Sequence, residues 1–321
     1  MNTVKKLLAI LLAAALAMGL AACGGSEPKQ QKYTSEELYT KYLNNEYIAT
    51  LNCNLYNAAQ GEELTISDMI YGEADALKDY GEFFLNNVYI SFIDCGLDGE
   101  EELLIAAEYI TPGEYNDYIE EQFIVKAYDQ ELKVLSEDET FYRYETTIYN
   151  SGLIVYQGSG SAFEQYYRYE YMNPDGERVY LFSEDYTMGL AEAVIPYYDL
   201  PSDAIPDYEA YPEYAEADGI SLSVYNFGQY EADDYDEEIY EEFIRGNMFV
   251  FYNVEGENCY PEEPYAAMYK NAGVKIYDTD TMMDMIDEMV AEKGVTDEIA
   301  DALPAELTLL DSETIEWLPK G

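Results

Sequence analysis

The sequence predicts an α+β fold with N-terminal helices, an antiparallel β-meander and a smaller C-terminal unit of strands and helices. Apolar residues recur at helical spacing near the start of the chain and again near its end. Between these regions, short strand-like runs follow one another, separated by turns such as Asn173-Pro174-Asp175-Gly176. Many of these runs alternate tyrosine with charge, which favours a sheet with one packed and one solvated face.

The chain divides into segments of different composition. The predicted segments are a signal peptide (1–22), a tether (23–34), a domain of helices plus β-meander that contains an acidic loop (35–195), a linker rich in tyrosine, proline and acids (196–219), and a C-terminal α+β unit (220–321).

Two helices are predicted to open the folded part. Ser35, followed by Glu37, has the pattern of an N-cap with an acid in the first turn. A second, short helix is predicted from Ser67. A C-terminal helix is predicted at 281–293, with Thr279 or Asp280 as its N-cap and Gly294 as its end.

The predicted strands are short and bounded by turn residues. They lie at 88–93, 103–107, 121–128, 146–149, 153–156, 165–171, 178–182, 220–227, 248–254 and 274–277. A segment at 238–246 repeats the residue pattern of the first helix at 37–45, which suggests either two copies of one helical opening or a chance match.

The N-terminus has the order of a secretory signal. Lys5 and Lys6 precede an apolar run at 7–20, which is followed by two alanines and Cys23. The stretch Leu20-Ala21-Ala22-Cys23 resembles the bacterial lipobox, which implies that the Cys23 thiol is acylated. An ordinary signal that happens to contain a cysteine is the alternative. A lipid anchor on Cys23 predicts a location at the extracellular face of the cytoplasmic membrane.

Composition excludes several classes of function. With 66 acidic and 16 basic residues the net charge is −50, which disfavours binding to nucleic acid because no basic face is available to contact phosphates. The chain contains no histidine, so Ser-His-Asp, Cys-His and His-metal chemistry are excluded. Besides Cys23, Cys53, Cys95 and Cys259 are predicted to be mostly reduced and buried, with one disulfide as the alternative.

One acidic loop has the spacing of a metal site. Asp94, Asp98 and Glu102 recur every four residues, Gly99 supplies a sharp turn, and Glu100 can offer its backbone carbonyl. Calcium favours such closely spaced oxygens, so these residues are predicted to bind Ca²⁺. The loop lacks the flanking helices and the final glutamate of an EF-hand.

The strand–loop–strand setting resembles the calcium loops of integrin-type FG-GAP repeats. It resembles more closely the "DxDGDGxxEL" segment of uncharacterised lipoproteins from anaerobic Gram-positive (clostridial) bacteria, and the likeness covers roughly residues 35–190. This resemblance implies a location at the cell surface and a common structural scaffold. Gly96 stands where the family has Asn or Asp, which removes one ligand. A purely structural turn, with Asp94 and Asp98 capping backbone amides, is the alternative.

The predicted function is non-enzymatic binding, or a structural role, at the cell surface. The 36 tyrosines suit a glycan, a wall polymer or a protein partner, although packing within the sheet also explains them. A glycoside hydrolase that uses carboxylates alone, for which Glu101 and Glu102 are the adjacent pair considered, is the alternative. A transporter binding protein would need two lobes of parallel strands, which the meander does not predict.

Overall fold

A large, mainly antiparallel β-sheet dominates the computed structural model of this chain. The structure describes residues 32–56, 58–79, 81–112, 118–188, 220–228, 246–252, 258–259, 264–271 and 273–319. The predicted signal peptide with Cys23, the linker at 196–219 and the repeated segment at 238–246 lie wholly or almost wholly outside these residues. The predictions made for them therefore stay predictions.

Most of the observed strands are longer than the strands predicted from the sequence. In chain order they are β1 (Ala49–Leu51), β2 (Glu63–Leu64), β3 (Phe84–Ile93), β4 (Glu102–Ile110), β5 (Tyr118–Tyr128), β6 (Glu131–Phe141), β7 (Tyr144–Ile148), β8 (Leu153–Ser161), β9 (Glu164–Met172), β10 (Arg178–Thr187), β11 (Ser221–Asn226), β12 (Met248–Tyr252), β13 (Asn258–Cys259), β14 (Ile276–Tyr277) and β15 (Thr308–Leu309).

Consecutive strands from β3 to β12 are neighbours in the sheet, as a meander requires. The order across the sheet is β13-β12-β11-β10-β9-β8-β7-β6-β5-β4-β3-β15, while β1 pairs in parallel with β6 and β14 in parallel with β12. The strands of the predicted C-terminal unit extend the same sheet, because β11 pairs with β10 and β15 pairs with β3.

Helices are a smaller part of this fold than an α+β class implies. They are α1 (Ser35–Leu43), α2 (Ile66–Ala76), α3 (Pro264–Asn271), α4 (Thr279–Glu292) and α5 (Asp297–Ala300), and a 3-10 turn (Leu77–Asp79) follows α2. The antiparallel sheet is confirmed, and the predicted N-terminal helices are matched in part by α1 and α2. The α+β class is only partly matched, because the sheet makes up most of the described chain.

Two helix caps differ from the predictions. Thr34, rather than Ser35, caps α1, because its hydroxyl accepts from the Glu37 N–H while the Glu37 side chain accepts from the Thr34 N–H. Asp278, rather than the predicted Thr279 or Asp280, caps α4. Its carboxylate accepts a hydrogen bond from the Thr281 N–H at 2.9 Å.

The central strands are buried on both faces. Alternate residues of β4 and β5 join two different apolar clusters, since side chains of a strand point to opposite sides. Leu103, Ile105 and Phe123 pack with α1 and α2, whereas Leu104 and Ile124 pack with residues of β7 to β9. This double burial explains why β4 reads as a continuous apolar run rather than an alternating one.

Helix α4 covers a third cluster on the later strands. Met282 and Ile286 of α4 pack against Leu181 of β10 and Val250 of β12. The C-terminal segment returns to the N-terminal helices, where the Trp317 indole N–H donates to the Leu43 carbonyl at 2.8 Å. Both ends of the described chain therefore stabilise the same layer.

Candidate functional site

The acidic loop between β3 and β4 is a tight turn held by its own carboxylates. Both oxygens of Asp94 accept the Gly99 N–H at 3.1 Å, and Asp98 Oδ1 accepts the Glu100 N–H at 2.7 Å. Gly96 and Gly99 have φ values of 84° and 87°, in the region that favours glycine. These contacts have the geometry of the structural-turn alternative.

Glu102 joins the loop to the neighbouring strand β5. Its side chain is fully buried, forms an ion pair with Lys126 of β5 and accepts the Cys95 N–H at 2.8 Å. Burial raises the pKa of the Glu102 carboxyl, and the Lys126 ammonium opposes that rise. Within the described residues, Asp94, Asp98, Glu100 and Glu102 are not gathered into a shared metal-binding group. Calcium binding at this loop stays a prediction.

The adjacent pair considered for hydrolysis does not face one cleft. Glu101 is exposed, whereas Glu102 is buried and paired with Lys126. Because neighbouring residues near a strand project in opposite directions, these two carboxylates do not flank a common substrate.

An open cleft lies where β5 to β9 meet at the β6–β7 turn. It has a volume of about 440 Å³. Phe141 and Tyr144 are partners across the two-residue turn, and their rings stack with centroids 5.2 Å apart at 23°. Tyr118 and Phe141 keep 39% and 42% of their surfaces exposed, so a ligand can reach them. The lining residues are Tyr118, Glu120, Thr140, Phe141, Arg143, Tyr144, Glu145, Thr146, Gln157, Gly158, Ser159 and Gln165.

Hydrogen bonds fix the acidic side of the cleft. Glu120 accepts the Tyr118 hydroxyl at 3.1 Å and the Gln122 amide at 2.7 Å. Burial, together with the Glu120 carboxylate, raises the pKa of Tyr118. Tyr118 therefore stays a neutral hydroxyl, beside an acceptor already placed for a ligand hydroxyl.

A charged network supports the aromatic wall from within. Arg178 bridges the buried carboxylates of Asp138 and Glu170, and Arg168 forms a second ion pair with Glu170. The Tyr156 hydroxyl donates to Asp138. The Tyr156 ring lies 6.0 Å from the Tyr144 ring between centroids, so the network holds Tyr144 in place.

The residues of this cleft belong to none of the sites that the sequence predicts. The tyrosine-dense stretch at 166–171 pairs within the sheet, and Tyr171 is buried. One sequence pattern does predict the aromatic pair of the cleft. Phe141 and Tyr144 flank a two-residue turn, and a hairpin turn brings its flanking side chains together.

No protein-family model, no curated protein and no solved structure matches this chain. Among the described residues, no helix is both long and apolar enough to cross a membrane.

Proposed function

We propose that this chain is an exported lipoprotein, lipidated on Cys23 and held at the extracellular face of the cytoplasmic membrane, whose folded body binds a neutral glycan. The observation that carries the binding proposal is the open cleft with the Phe141–Tyr144 stack on its wall. The signal pattern before Cys23, and the resemblance of the acidic loop to those of clostridial lipoproteins, support the address.

The side chains of the cleft suit a sugar. Aromatic rings offer flat apolar faces to the C–H faces of a pyranose, and Tyr118 adds a hydroxyl at the edge. Gln157, Gln165 and Glu120 supply hydrogen-bonding groups around the rings. A few placed polar groups among apolar ones are typical of ligand sites.

Charge narrows the class of glycan. The chain carries a net charge of −50, so anionic wall polymers and anionic lipid surfaces are repelled at long range. Neutral oligosaccharides carry no such penalty. A neutral polymer of the wall or of the surroundings is therefore the favoured ligand.

The proposed lipidation and membrane location are tested with Cys23→Ala in cells supplied with a labelled fatty acid. The wild-type protein is expected to take up the label and to remain with the membrane fraction, because acylation needs the thiol. The variant is expected to lose both properties. An unlabelled wild-type protein, together with a variant that stays membrane-bound, contradicts the lipid anchor.

The ligand is tested by calorimetric titration with soluble glucan, mannan and xylan oligosaccharides. Binding of at least one series is expected, and Phe141→Ala should weaken it about 5- to 150-fold, since loss of one stacked ring costs roughly 1–3 kcal/mol. Phe84→Ala is the matched control, because Phe84 is 54% exposed and lies outside the cleft. The proposal fails if no series binds, or if both variants bind like the wild type.

The same cleft favours a second candidate, a carboxylate-based glycoside hydrolase. Glu120 and Glu145 both line it, and such enzymes use a pair of acids on either side of the scissile bond. Incubating the bound oligosaccharide with wild type and with Glu145→Gln separates the two functions. Reducing ends that appear only with the wild type indicate hydrolysis, and an unchanged oligosaccharide in both indicates binding alone.

A further inference from the structure

A group of three glutamates lies in the core on the helix-covered face of the sheet, away from the cleft. Helix α2 buries Ile66, Met69, Ile70, Glu73 and Ala74 along one side. Their spacing is that of a core-facing helical stripe, and Glu73 occupies a position where an apolar residue is expected. Glu73 is fully buried there.

The other two glutamates come from the neighbouring strands β5 and β6. Glu121 is fully buried and shares a face with Phe123, which pairs with Glu137 across the two strands. Glu137 is half-buried. One carboxylate oxygen from each of Glu73, Glu121 and Glu137 lies within 4.8 Å of the other two. Three carboxyl groups from three elements therefore converge in the core.

Glu121 has no hydrogen-bond donor of its own among the described residues. Neither of its carboxylate oxygens accepts a hydrogen bond. The Tyr109 hydroxyl lies beside it and lowers its pKa, but that hydroxyl donates to the Ile70 carbonyl at 2.9 Å. A buried carboxylate without a donor is unfavourable unless a proton or a cation neutralises it.

The other buried carboxylates of the described residues form ion pairs with basic side chains. Glu102 has Lys126 as its partner, and Asp138 and Glu170 have Arg178. Neither Glu121 nor Glu137 forms an ion pair with a described residue. Among the residues that the structure describes, basic side chains thus lie beside Glu102, Asp138 and Glu170, whereas none forms an ion pair with Glu121 or Glu137.

We propose that Glu73, Glu121 and Glu137 bind a calcium ion in the core, between α2 and strands β5 and β6. Three carboxylates can present six oxygens when each is bidentate, which matches the six to eight that calcium takes. Oxygens up to 4.8 Å apart fit around an ion with ligand distances of about 2.3–2.6 Å.

Magnesium and soft metals suit the group less well. Magnesium keeps several bound waters and demands an octahedron, whereas Glu73 and Glu121 are fully buried away from water. The Cys53 thiol interacts electrostatically with Glu137, but burial raises its pKa to about 12, so it stays protonated and offers no thiolate.

The acids around Glu121 differ in their exposure to solvent. Glu139 pairs directly with Glu121 across the strands and is itself half-buried, and its carboxylate accepts the Tyr56 hydroxyl at 3.1 Å. Glu137 and Glu139 are thus closer to solvent than the fully buried Glu121. A bound ion would tie α2 to the sheet, so the expected effect is on stability rather than on catalysis.

Calorimetric titration of chelator-treated protein with calcium chloride, together with thermal unfolding, tests the proposal. Calcium is expected to bind one-to-one and to raise the unfolding midpoint by about 5–10 °C at a concentration near 100 times Kd. Magnesium chloride at the same concentration should raise the midpoint less. Glu121→Gln and Glu137→Gln should each remove the calcium-dependent shift.

Two control variants locate the ion. Glu120→Gln changes the neighbouring residue on the opposite face of β5, and Asp98→Asn changes the acidic loop; both should keep the full shift. The comparison is the shift within each variant, since removing a buried carboxylate can itself change the midpoint. No calcium binding by the wild type overturns the proposal. A shift kept by Glu121→Gln but lost in Asp98→Asn also overturns it, and assigns the ion to the loop.

Discussion

Glu102 and Lys126 form an ion pair that is almost closed off from solvent, with side-chain exposures of 0% and 6%. The pair joins the first residue of β4 to the neighbouring strand β5, directly beneath the acidic loop. Glu102 also accepts the Cys95 N–H, so the same carboxylate anchors the start of the loop. Its role here is to hold the loop against the sheet.

We expect Lys126→Met to destabilise the protein by about 3–5 kcal/mol, because it leaves a buried carboxylate without its cation. Urea unfolding at neutral pH measures the change. The double variant Lys126→Met with Glu102→Gln should recover much of the loss. Lys133→Met is the control, since Lys133 only lies over the Tyr128 ring at 4.9 Å. Equal losses in Lys126→Met and Lys133→Met would contradict this account.

The stability of the calcium-free protein should fall as the pH rises from about 5 to about 9. Burial raises the pKa of Glu121 to about 9 and that of Glu137 to about 8, with Glu73 and Glu139 adding repulsion. An unfolded glutamate has a pKa of about 4.3. The native state therefore binds more protons in this window, and its stabilisation is present below the unfolded value and lost through the folded values.

Urea unfolding in chelator at several pH values measures that slope. Glu121→Gln should flatten it, because the amide does not titrate. Glu120→Gln, on the same strand, should leave it as in the wild type. A slope that Glu121→Gln leaves unchanged would assign the pH dependence to other groups.

Arg178→Gln should destabilise the protein by about 2 kcal/mol, since it removes the cation shared by two buried carboxylates. The value is below that of a fully buried pair because the Arg178 side chain is 31% exposed and Arg168 remains beside Glu170. Arg143→Gln, at an exposed turn, is the control. Fluorescence-detected urea unfolding of both variants checks the difference, and equal midpoints would count against the network as a support.

Gly152→Ala should be much more destabilising than Gly99→Ala. Both glycines have positive φ, at 84° and 87°, so an alanine is strained by about 1–2 kcal/mol at either position. At Gly152 an added Cβ would also lie 2.8 Å from the Met172 carbonyl oxygen and 2.9 Å from Cys95 Sγ, whereas nothing lies within 4 Å at Gly99. Thermal midpoints of the two variants provide the comparison, and equal midpoints would contradict the steric argument.

Local pattern was enough to find most strands of the sheet. The predicted cores of β3, β4 and β5 lie inside the observed strands, because their apolar residues mark buried faces. Strand β6 was not predicted. Its second half reads Ser136-Glu137-Asp138-Glu139, which by composition resembles a solvated segment, yet all four residues are at least half-buried.

Those acids are buried because of partners that are distant in the sequence. Asp138 meets Arg178 of β10, and Glu137 meets Glu73 of α2. The alternation of a strand sends Glu137 and Asp138 to opposite faces, so one joins a group of acids and the other an ion pair. The only local sequence feature that indicates such a buried acid is a glutamate on the apolar side of a helix, as at Glu73.

The sequence by itself determined the predicted address at Cys23, the acidic character that disfavours nucleic acid, and the lack of histidine chemistry, because each depends only on which residues are present and in what order. The tertiary structure alone decided that Glu102 pairs with Lys126 while it also accepts the Cys95 N–H, and that Glu73, Glu121 and Glu137 converge. The physical reason is that strand register and helix packing choose which of the many carboxylates face the core, and which of the few basic side chains reaches each one.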